Sequence, residues 1–288
     1  MNHEIKKTER FKEYFITYAT IKALELSSDK EDNYKISKYI PIDMLKKLTN
    51  KGLYKTYIEM LNNSKIDFCI SGNLSNEQEL IDFIKKEFKF NNKYQLNEAF
   101  INHYDKDRET KIYFEKSDVE QSKLAIIIKA YDLTDYERRY VATIYNGLFG
   151  GNSTSFLNSI VREENAISYS TYSYYNRTDN IIIVNGGFSK KNYDVVKGII
   201  YESMDRIAEG KFTQKMLLNA KKCFINDLLN YDESNSSLIS FYYGKEIFKG
   251  ADIKERIENV KKVTKEDIVN ISKKLKIASI YNLESDLW

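Results

Sequence analysis

The sequence predicts an α+β protein with a largely antiparallel sheet and helices packed on one face. Three observations support this class. A run of alternating aromatics and a β-branched run flank the turn "NRTD", which is typical of a hairpin. Helical patterns fill most of the remaining chain, and a short apolar strand pattern, "IASIYNL", closes it. Strands and helices that come in separate runs favour α+β over a parallel α/β fold.

Composition excludes several classes of protein. The 288 residues carry a net charge of +3 with both signs mixed, so the sequence shows no basic block of the kind that binds nucleic acid. No apolar run approaches the roughly 20 residues that a membrane-spanning helix needs. The two cysteines form no paired motif, and the N-terminus lacks an apolar signal segment, so we expect a cytoplasmic protein. Cys69, within "IDFCI", is expected to be a small core residue.

Residues 1–108 are predicted to be the C-terminal part of a first domain. Its predicted elements are a helix over about 8–26, a helix that begins at Pro41, a strand within "KIDFCI" and a helix over about 76–88. Ser75, with Gln78 three residues later, has the spacing of a capping box for that last helix. The polar stretch 91–108 is the predicted boundary.

Residues 109–288 are predicted to form one complete domain. "TKIYFEKSDVEQSKLAIIIKAYDL" indicates two strands, and "TDYERRYVATIYNGLFG" indicates a helix that stops at Gly150 and Gly151. The hairpin follows a short helix, and three or more helices precede the last strand. Thr264 and Asp267 have the spacing of a second capping box.

Arg162 and Tyr169 stand seven residues apart, across the passage from the short helix to the hairpin. A surface arginine near a helix C-terminus, where a cation suits the helix dipole, explains Arg162 without any function. A pair of hydrogen-bond donors aimed at a substrate carbonyl is the functional alternative, since both side chains stay protonated at neutral pH. The residues themselves leave both explanations open.

The stretch "YNGLFGGNSTSFLNSIVREENAISYSTYSYY" resembles the second domain of the insulinase/pitrilysin family of zinc metallopeptidases. The resemblance is carried by Gly150, Gly151, Arg162, Glu163 and Tyr169. "ENVKKVTKEDIVNISKKL" is similar to the family's helix start near the domain end, and "IDFCISGNLSNEQELIDFIKKEF" to the end of the preceding domain. The Gln in "SDVEQSKLAIIIKA" fits the family's opening strand, so the similarity runs from about residue 10 to the C-terminus.

The resemblance implies a zinc-binding H-x-x-E-H motif, which this sequence lacks. Its histidines, His3 and His103, are 100 residues apart in polar stretches, and neither has a second histidine nearby. We therefore expect no catalytic residue and no metal or cofactor in this chain, with zinc held by a partner. The cysteines do not replace the missing ligands.

By the resemblance, the partner would be a zinc-motif-bearing homologous subunit, and the chain would be inactive alone. Arg162 and Tyr169 would be the substrate-binding residues for a peptide that the two subunits enclose. The alternative is a non-catalytic structural or peptide-binding subunit that kept only the fold. Neither alternative involves nucleic acid or a membrane.

Overall fold

The computed structural model describes residues 16–28, 42–88, 109–160 and 168–286. Their contacts divide the chain into two compact units. The first, here called the sheet unit, comprises residues 1–40, 101–226 and 256–288. The second, here called the helical unit, comprises residues 41–100 and 227–255. The predicted domain boundary within 91–108 lies outside the described residues and stays a prediction.

A five-stranded sheet forms the centre of the sheet unit. Its strands are β1 (Lys111–Ser117), β2 (Ser122–Ala130), β3 (Ser168–Asn176), β4 (Ile181–Phe188) and β5 (Leu275–Ser285). The spatial order is β1-β5-β2-β4-β3, with β1 and β5 parallel and every other pair antiparallel. The predicted α+β class and largely antiparallel sheet are therefore confirmed.

Four α-helices precede β1 in the described chain, and the others lie between β2 and β3 and between β4 and β5. The first four α-helices are α1 (Ile16–Ser27), α2 (Ile42–Lys47), α3 (Asn50–Asn63) and α4 (Glu77–Glu87). A π-helix (Glu137–Val141) continues into α5 (Ala142–Phe149), and α6 (Phe156–Ser159) follows. The others are α7 (Tyr193–Ala208), α8 (Gln214–Leu229), α9 (Asn235–Ile247), α10 (Ile253–Lys262) and α11 (Lys265–Ser272).

The main core lies between one face of the sheet and the helices of the sheet unit. Ile126, Ile128 and Ile280 are fully buried in the same apolar cluster as Tyr145 of α5 and Ile200 of α7. Such burial stabilises each aliphatic side chain by roughly 1.5–3 kcal/mol. Most helices of this unit thus pack on one face, as the sequence predicts.

Helix α1 is the exception, because it packs on the opposite face of the sheet. Its Ala19 and Ala23 have no exposed surface and share a second apolar cluster with Ala125, Ile127 and Ile183. The physical reason is visible in the strands: "AIII" and "IIIV" are apolar at consecutive positions, so both of their faces need cover. The expectation of helices on one face alone was therefore wrong for this helix.

A partly buried carboxylate strengthens the contact between α1 and the sheet. Glu115 of β1 accepts a hydrogen bond from the Tyr18 hydroxyl at 3.1 Å and another from the Tyr281 hydroxyl of β5. Burial and the hydrogen bond to Glu115 raise the pKa of Tyr281, so its phenol remains a neutral donor. One side chain thus joins α1 to the two strands of the parallel pair.

The helical unit has far less buried apolar surface. No residue of α3, α4 or α9 is buried, and Leu53, Tyr57 and Phe83 are each about half exposed. The predicted strand in "KIDFCI" has no regular secondary structure and pairs with no strand among the described residues of this unit. Cys69, expected in the core, is exposed.

The sequence predicted one helix cap and the hairpin turn correctly and another helix cap wrongly. The Thr264 hydroxyl and the Asp267 carboxylate form the reciprocal capping box of α11, and the hairpin turns at residues 177–180 as expected. Helix α4, however, is capped by Asn76 and not by Ser75: the Asn76 side chain accepts from the Glu79 amide at 3.3 Å. Asparagine and serine are almost equally good N-cap residues, so the sequence spacing alone could not show whether Ser75 or Asn76 caps the helix.

We expect Ala23→Glu to lower the free energy of unfolding by about 3 kcal/mol, because it buries a charge without a partner. Urea denaturation followed by circular dichroism measures the loss. Thr17→Glu is the matched control, since Thr17 is exposed on the same helix and its substitution should change stability by less than about 0.5 kcal/mol. Equal effects of the two substitutions would show that α1 does not pack on the sheet.

Candidate functional site

A hydrogen-bonded junction joins the end of α5 to strand β3. The Asn146 carbonyl accepts from the amides of Gly150 and Gly151 at 3.0 and 2.8 Å and so ends the helix. The Gly150 carbonyl then accepts from the Ser173 amide at 3.0 Å. The Ser173 hydroxyl donates to the Asn146 side-chain oxygen at 2.7 Å. The helix end is therefore fixed against the middle of the hairpin.

The two glycines are required by close packing at this junction. A Cβ on Gly150 would lie 2.6 Å from the Ser173 hydroxyl and 2.7 Å from a methyl group of Leu157. A Cβ on Gly151 would lie 2.6 Å from the Asn146 amide nitrogen and 2.9 Å from its carbonyl oxygen. The glycine pair that marks the end of α5 in the sequence thus also allows β3 to pack closely against that helix end.

The loop after the glycines is held by its own polar side chains. The Asn152 amide donates to the Gly147 carbonyl at 2.7 Å, and the Asn158 amide donates to the Asn152 carbonyl at 2.8 Å. Phe156 and Leu157 of α6 are buried in the main core. This loop and α6 therefore bring the chain to residue 160 along a fixed path. Arg162 and Glu163 follow within 161–167, outside the described residues.

The backbone of Tyr169 lies at an irregularity of strand β3. Ser168 pairs with Phe188 and Ser170 pairs with Gly187, so two successive residues of β4 face three of β3. Tyr169 is the extra residue of this β-bulge. Bulges re-aim the chain and are frequent at sheet edges and next to functional sites. β3 is an edge strand, so Tyr169, one of the two predicted site residues, lies both at a bulge and on an edge strand.

Further along β3, tyrosines line the exposed face. Tyr172 and Tyr174 are each about two-fifths exposed, and the Asn185 amide donates to the Tyr172 hydroxyl at 3.4 Å. Partial burial and the neighbouring Tyr172 raise the pKa of Tyr174, which keeps its phenol neutral. This face of the edge strand therefore offers uncharged, amphipathic side chains.

The described residues bring no set of zinc ligands together. Among the described residues, no group of three or more His, Cys, Asp or Glu side chains lies close enough to hold a metal ion. His3 and His103, the only histidines in the sequence, lie outside those residues and in no paired motif. No step of a reaction is therefore assigned to a metal on this chain.

Sequence reasoning missed two residues of the junction, Asn146 and Ser173. Both are buried polar residues in otherwise apolar or aromatic patterns, "TIYNGLF" and "SYSTYSYY". A buried amide needs hydrogen-bond partners, so a lone asparagine on an apolar helix face was the available signal. The partner on the strand could not be read from spacing, because the two residues are 27 positions apart.

The fold and junction define a peptidase-like domain, and comparison with known proteins identifies the family. Residues 47–223, more than half of the chain, match the family described as "Peptidase M16 inactive domain". The chain therefore belongs to that family, and the insulinase/pitrilysin resemblance is confirmed. Within the described part of the chain, no helix is both long and apolar enough to cross a membrane.

Individual relatives agree with this assignment. The chain is 28% identical over 257 residues to "Probable inactive metalloprotease YmfF" of Bacillus subtilis (strain 168), covering 88% of this chain and 60% of YmfF. A conserved protein from Enterococcus faecalis V583 is similar in structure, with TM-score 0.80, 23% identity, and coverage of 95% of this chain and 64% of that one.

A peptidase M16 inactive domain from Pseudomonas fluorescens is also similar, with TM-score 0.75, 13% identity, and coverage of 99% of this chain and 69% of that one. At these identities the two structures show the fold alone. The chain spans less than two thirds of the length of YmfF and of the Enterococcus protein.

We expect Gly150→Ala to lower the free energy of unfolding by about 1–3 kcal/mol, because its Cβ would overlap Ser173 and Leu157. Thermal or urea unfolding measures the change. Gly198→Ala is the matched control, since Gly198 lies on the exposed face of α7 and a Cβ there meets nothing within 4 Å. That control should stabilise the protein by about 0.5–1 kcal/mol. A neutral Gly150→Ala would mean that the helix end does not pack on β3.

Proposed function

We propose that the chain is a peptidase-family subunit without its own zinc site, which binds peptide substrate for hydrolysis by a zinc-motif-bearing homologous subunit. Arg162 and Tyr169 are the proposed substrate-binding residues. The family assignment supports a peptidase-like fold, and the absence of H-x-x-E-H from the sequence supports a partner that carries the metal. The proposed compartment is the cytoplasm.

The β-bulge at Tyr169 is the observation that carries this proposal. A tyrosine in a regular strand would follow the alternation of its neighbours, with its direction fixed by the pleat. At a bulge the regular alternation of the backbone is interrupted. The bulge lies four residues before Ser173, where the glycine junction fixes the strand. A fixed strand with a local change in its backbone suits a substrate-positioning role.

The proposed mechanism needs only hydrogen-bond donors from this chain. Arg162 would donate through its guanidinium and Tyr169 through its hydroxyl to the carbonyl oxygen next to the scissile bond. These bonds would strengthen as negative charge develops on that oxygen, which is how donors lower a barrier. The edge strand β3 would align the peptide backbone by adding it as a further strand. The bound zinc of the partner would supply the activated water.

A purely structural role is the second candidate. The name of YmfF, "Probable inactive metalloprotease", favours it, because that relative aligns over 88% of this chain. In this alternative the chain keeps the fold and the interface but contributes nothing to hydrolysis. The two roles differ in whether Arg162 and Tyr169 affect turnover.

We expect Arg162→Ala and Tyr169→Phe each to lower kcat/KM for a quenched peptide by about tenfold or more, or about 1.4 kcal/mol in the barrier. The assay mixes the chain with a homologous subunit that carries H-x-x-E-H. The reason is the loss of one donor to the developing oxyanion. Activity should depend on both subunits and on zinc.

Two substitutions outside the proposed site serve as controls for this assay. Tyr174→Phe removes a hydroxyl from the same strand, and Arg206→Ala removes an exposed arginine that pairs with Glu202 at 2.6 Å on α7. Both should leave kcat/KM unchanged. Hydrolysis that requires the chain but is unchanged by both Arg162→Ala and Tyr169→Phe would support the structural role.

A further inference from the structure

The helical unit has an apolar groove on its surface. The groove has a volume of about 440 Å³ and lies between helix α4 and the chain segment that precedes it. Its described lining consists of six apolar side chains, among them Phe68, Ile70 and Ile81, with Glu77 and Lys85 as the two charged residues. Those three apolar side chains are each almost half exposed. Contiguous apolar surface of this kind is uncommon on monomeric proteins and marks a site of interaction.

One wall of the groove, residues 66–71, has the side-chain alternation of a strand. The side chains of Asp67 and Ser71 hydrogen-bond to residues of α9, each at 3.1 Å. Those of Phe68 and Ile70 line the groove. Odd and even positions therefore face different surroundings, as they do in a β-strand. No backbone amide or carbonyl group of this segment, however, hydrogen-bonds to a described residue.

The same segment of a second copy can pair with it in antiparallel register about Cys69. A two-fold axis at Cys69 places Phe68 of each copy opposite Ile70 of the other. Directly opposed residues of an antiparallel pair lie on the same face, so both pairs fall on the face of the groove. An aromatic residue opposite a β-branched one is a favourable cross-strand pair. The segment is thus complementary to itself in its apolar residues.

The charges of the groove are also complementary to those of a second copy. Glu77 lies in the first turn of α4 and Lys85 in its last turn, about 12 Å apart along the helix axis at about 1.5 Å per residue. Neither side chain forms an ion pair with a described residue. A two-fold axis reverses the direction of α4, so the acidic end of one groove faces the basic end of the other. Residues 42–88 carry equal numbers of acidic and basic side chains, so net charge does not oppose association.

A row of unpaired backbone groups is a template for pairing with another strand. We propose that residues 66–71 pair with the same segment of a second copy of this chain, and that the two grooves form a two-fold interface. Such an interface uses one surface on both partners, so it requires a surface that is complementary to itself. Helix α4 of each copy covers the apolar face, as a two-stranded ladder needs for stability. The interface lies on the helical unit and does not depend on the proposed peptidase role.

Sedimentation velocity of the intact chain over a concentration series measures the association. We expect a reversible dimer whose Kd rises by about a hundredfold or more in Ile70→Lys, because each copy then buries an unpaired charge in the apolar centre of the interface. Phe83→Lys is the matched control, since Phe83 is exposed on α4 and is not part of the described lining of the groove. It should leave the dimer Kd unchanged. Circular dichroism checks that both variants keep the wild-type fold.

Charge reversal tests the two-fold arrangement without changing an apolar residue. Glu77→Lys and Lys85→Glu should each weaken the dimer by about threefold to tenfold, because each brings like charges together across the interface. The double variant should restore the wild-type Kd, since every reversed charge again faces its opposite. Both side chains are exposed, so these variants also replace Ile70→Lys if that variant does not fold.

Cys69 reports the register of the paired segments. Opposed residues of an antiparallel pair have Cα atoms about 4.5–5.5 Å apart, so a short bis-maleimide should join Cys69 of one copy to Cys69 of the other. Cys223, the other cysteine of the sequence, is also exposed and provides the control. Cys223→Ser should retain the cross-linked dimer, and Cys69→Ser should lose it.

Three results would overturn the proposal. The first is a chain that sediments as a monomer at every concentration, including one that associates only with a homologous subunit carrying H-x-x-E-H, which would assign the groove to that partner. The second is a dimer that neither Ile70→Lys nor the single charge reversals weaken. The third is a dimer that does not cross-link through Cys69.

Discussion

The sheet unit depends on the insertion of β5 between β1 and β2. Without the last strand of the chain, β1 would have no neighbour and β2 would lose one of its two ladders. β5 also contributes to both cores, through Ile280 on the face of the main core and Tyr281 on the face of α1. The two ends of the described chain thus meet across the sheet, where Ser279 donates from its hydroxyl to the Ala23 carbonyl at 2.7 Å. Pairing between such distant parts of a chain is expected to fold more slowly than local contacts do.

The two units show how far sequence patterns can predict structure. In the sheet unit, the hairpin, the helix end at Gly150 and the Thr264 capping box followed from local chemistry, because each is determined within a few residues. In the helical unit, "KIDFCI" has the same strand pattern but forms no ladder with the described part of the chain, since strand propensity is a preference for a pleated, half-buried surface. Only a partner strand turns that preference into structure, and a partner strand is not encoded in the segment itself. The strands "AIII" and "IIIV" are apolar on both faces, so the sequence already indicated that a further element, here α1, must pack on the second face of the sheet.

The sequence suggested the two candidate residues but not the backbone and side-chain contacts around them. A family-like Arg-to-Tyr spacing pointed to Arg162 and Tyr169, whereas the bulge at Tyr169 depends on the register between β3 and β4. The contact between Asn146 and Ser173 depends on how a helix crosses a strand 27 residues away. Packing at the glycine pair connects these features, because the helix can approach the strand only where neither residue carries a Cβ. The sequence thus indicated the candidate residues, whereas the packing around them could be seen only in the structure.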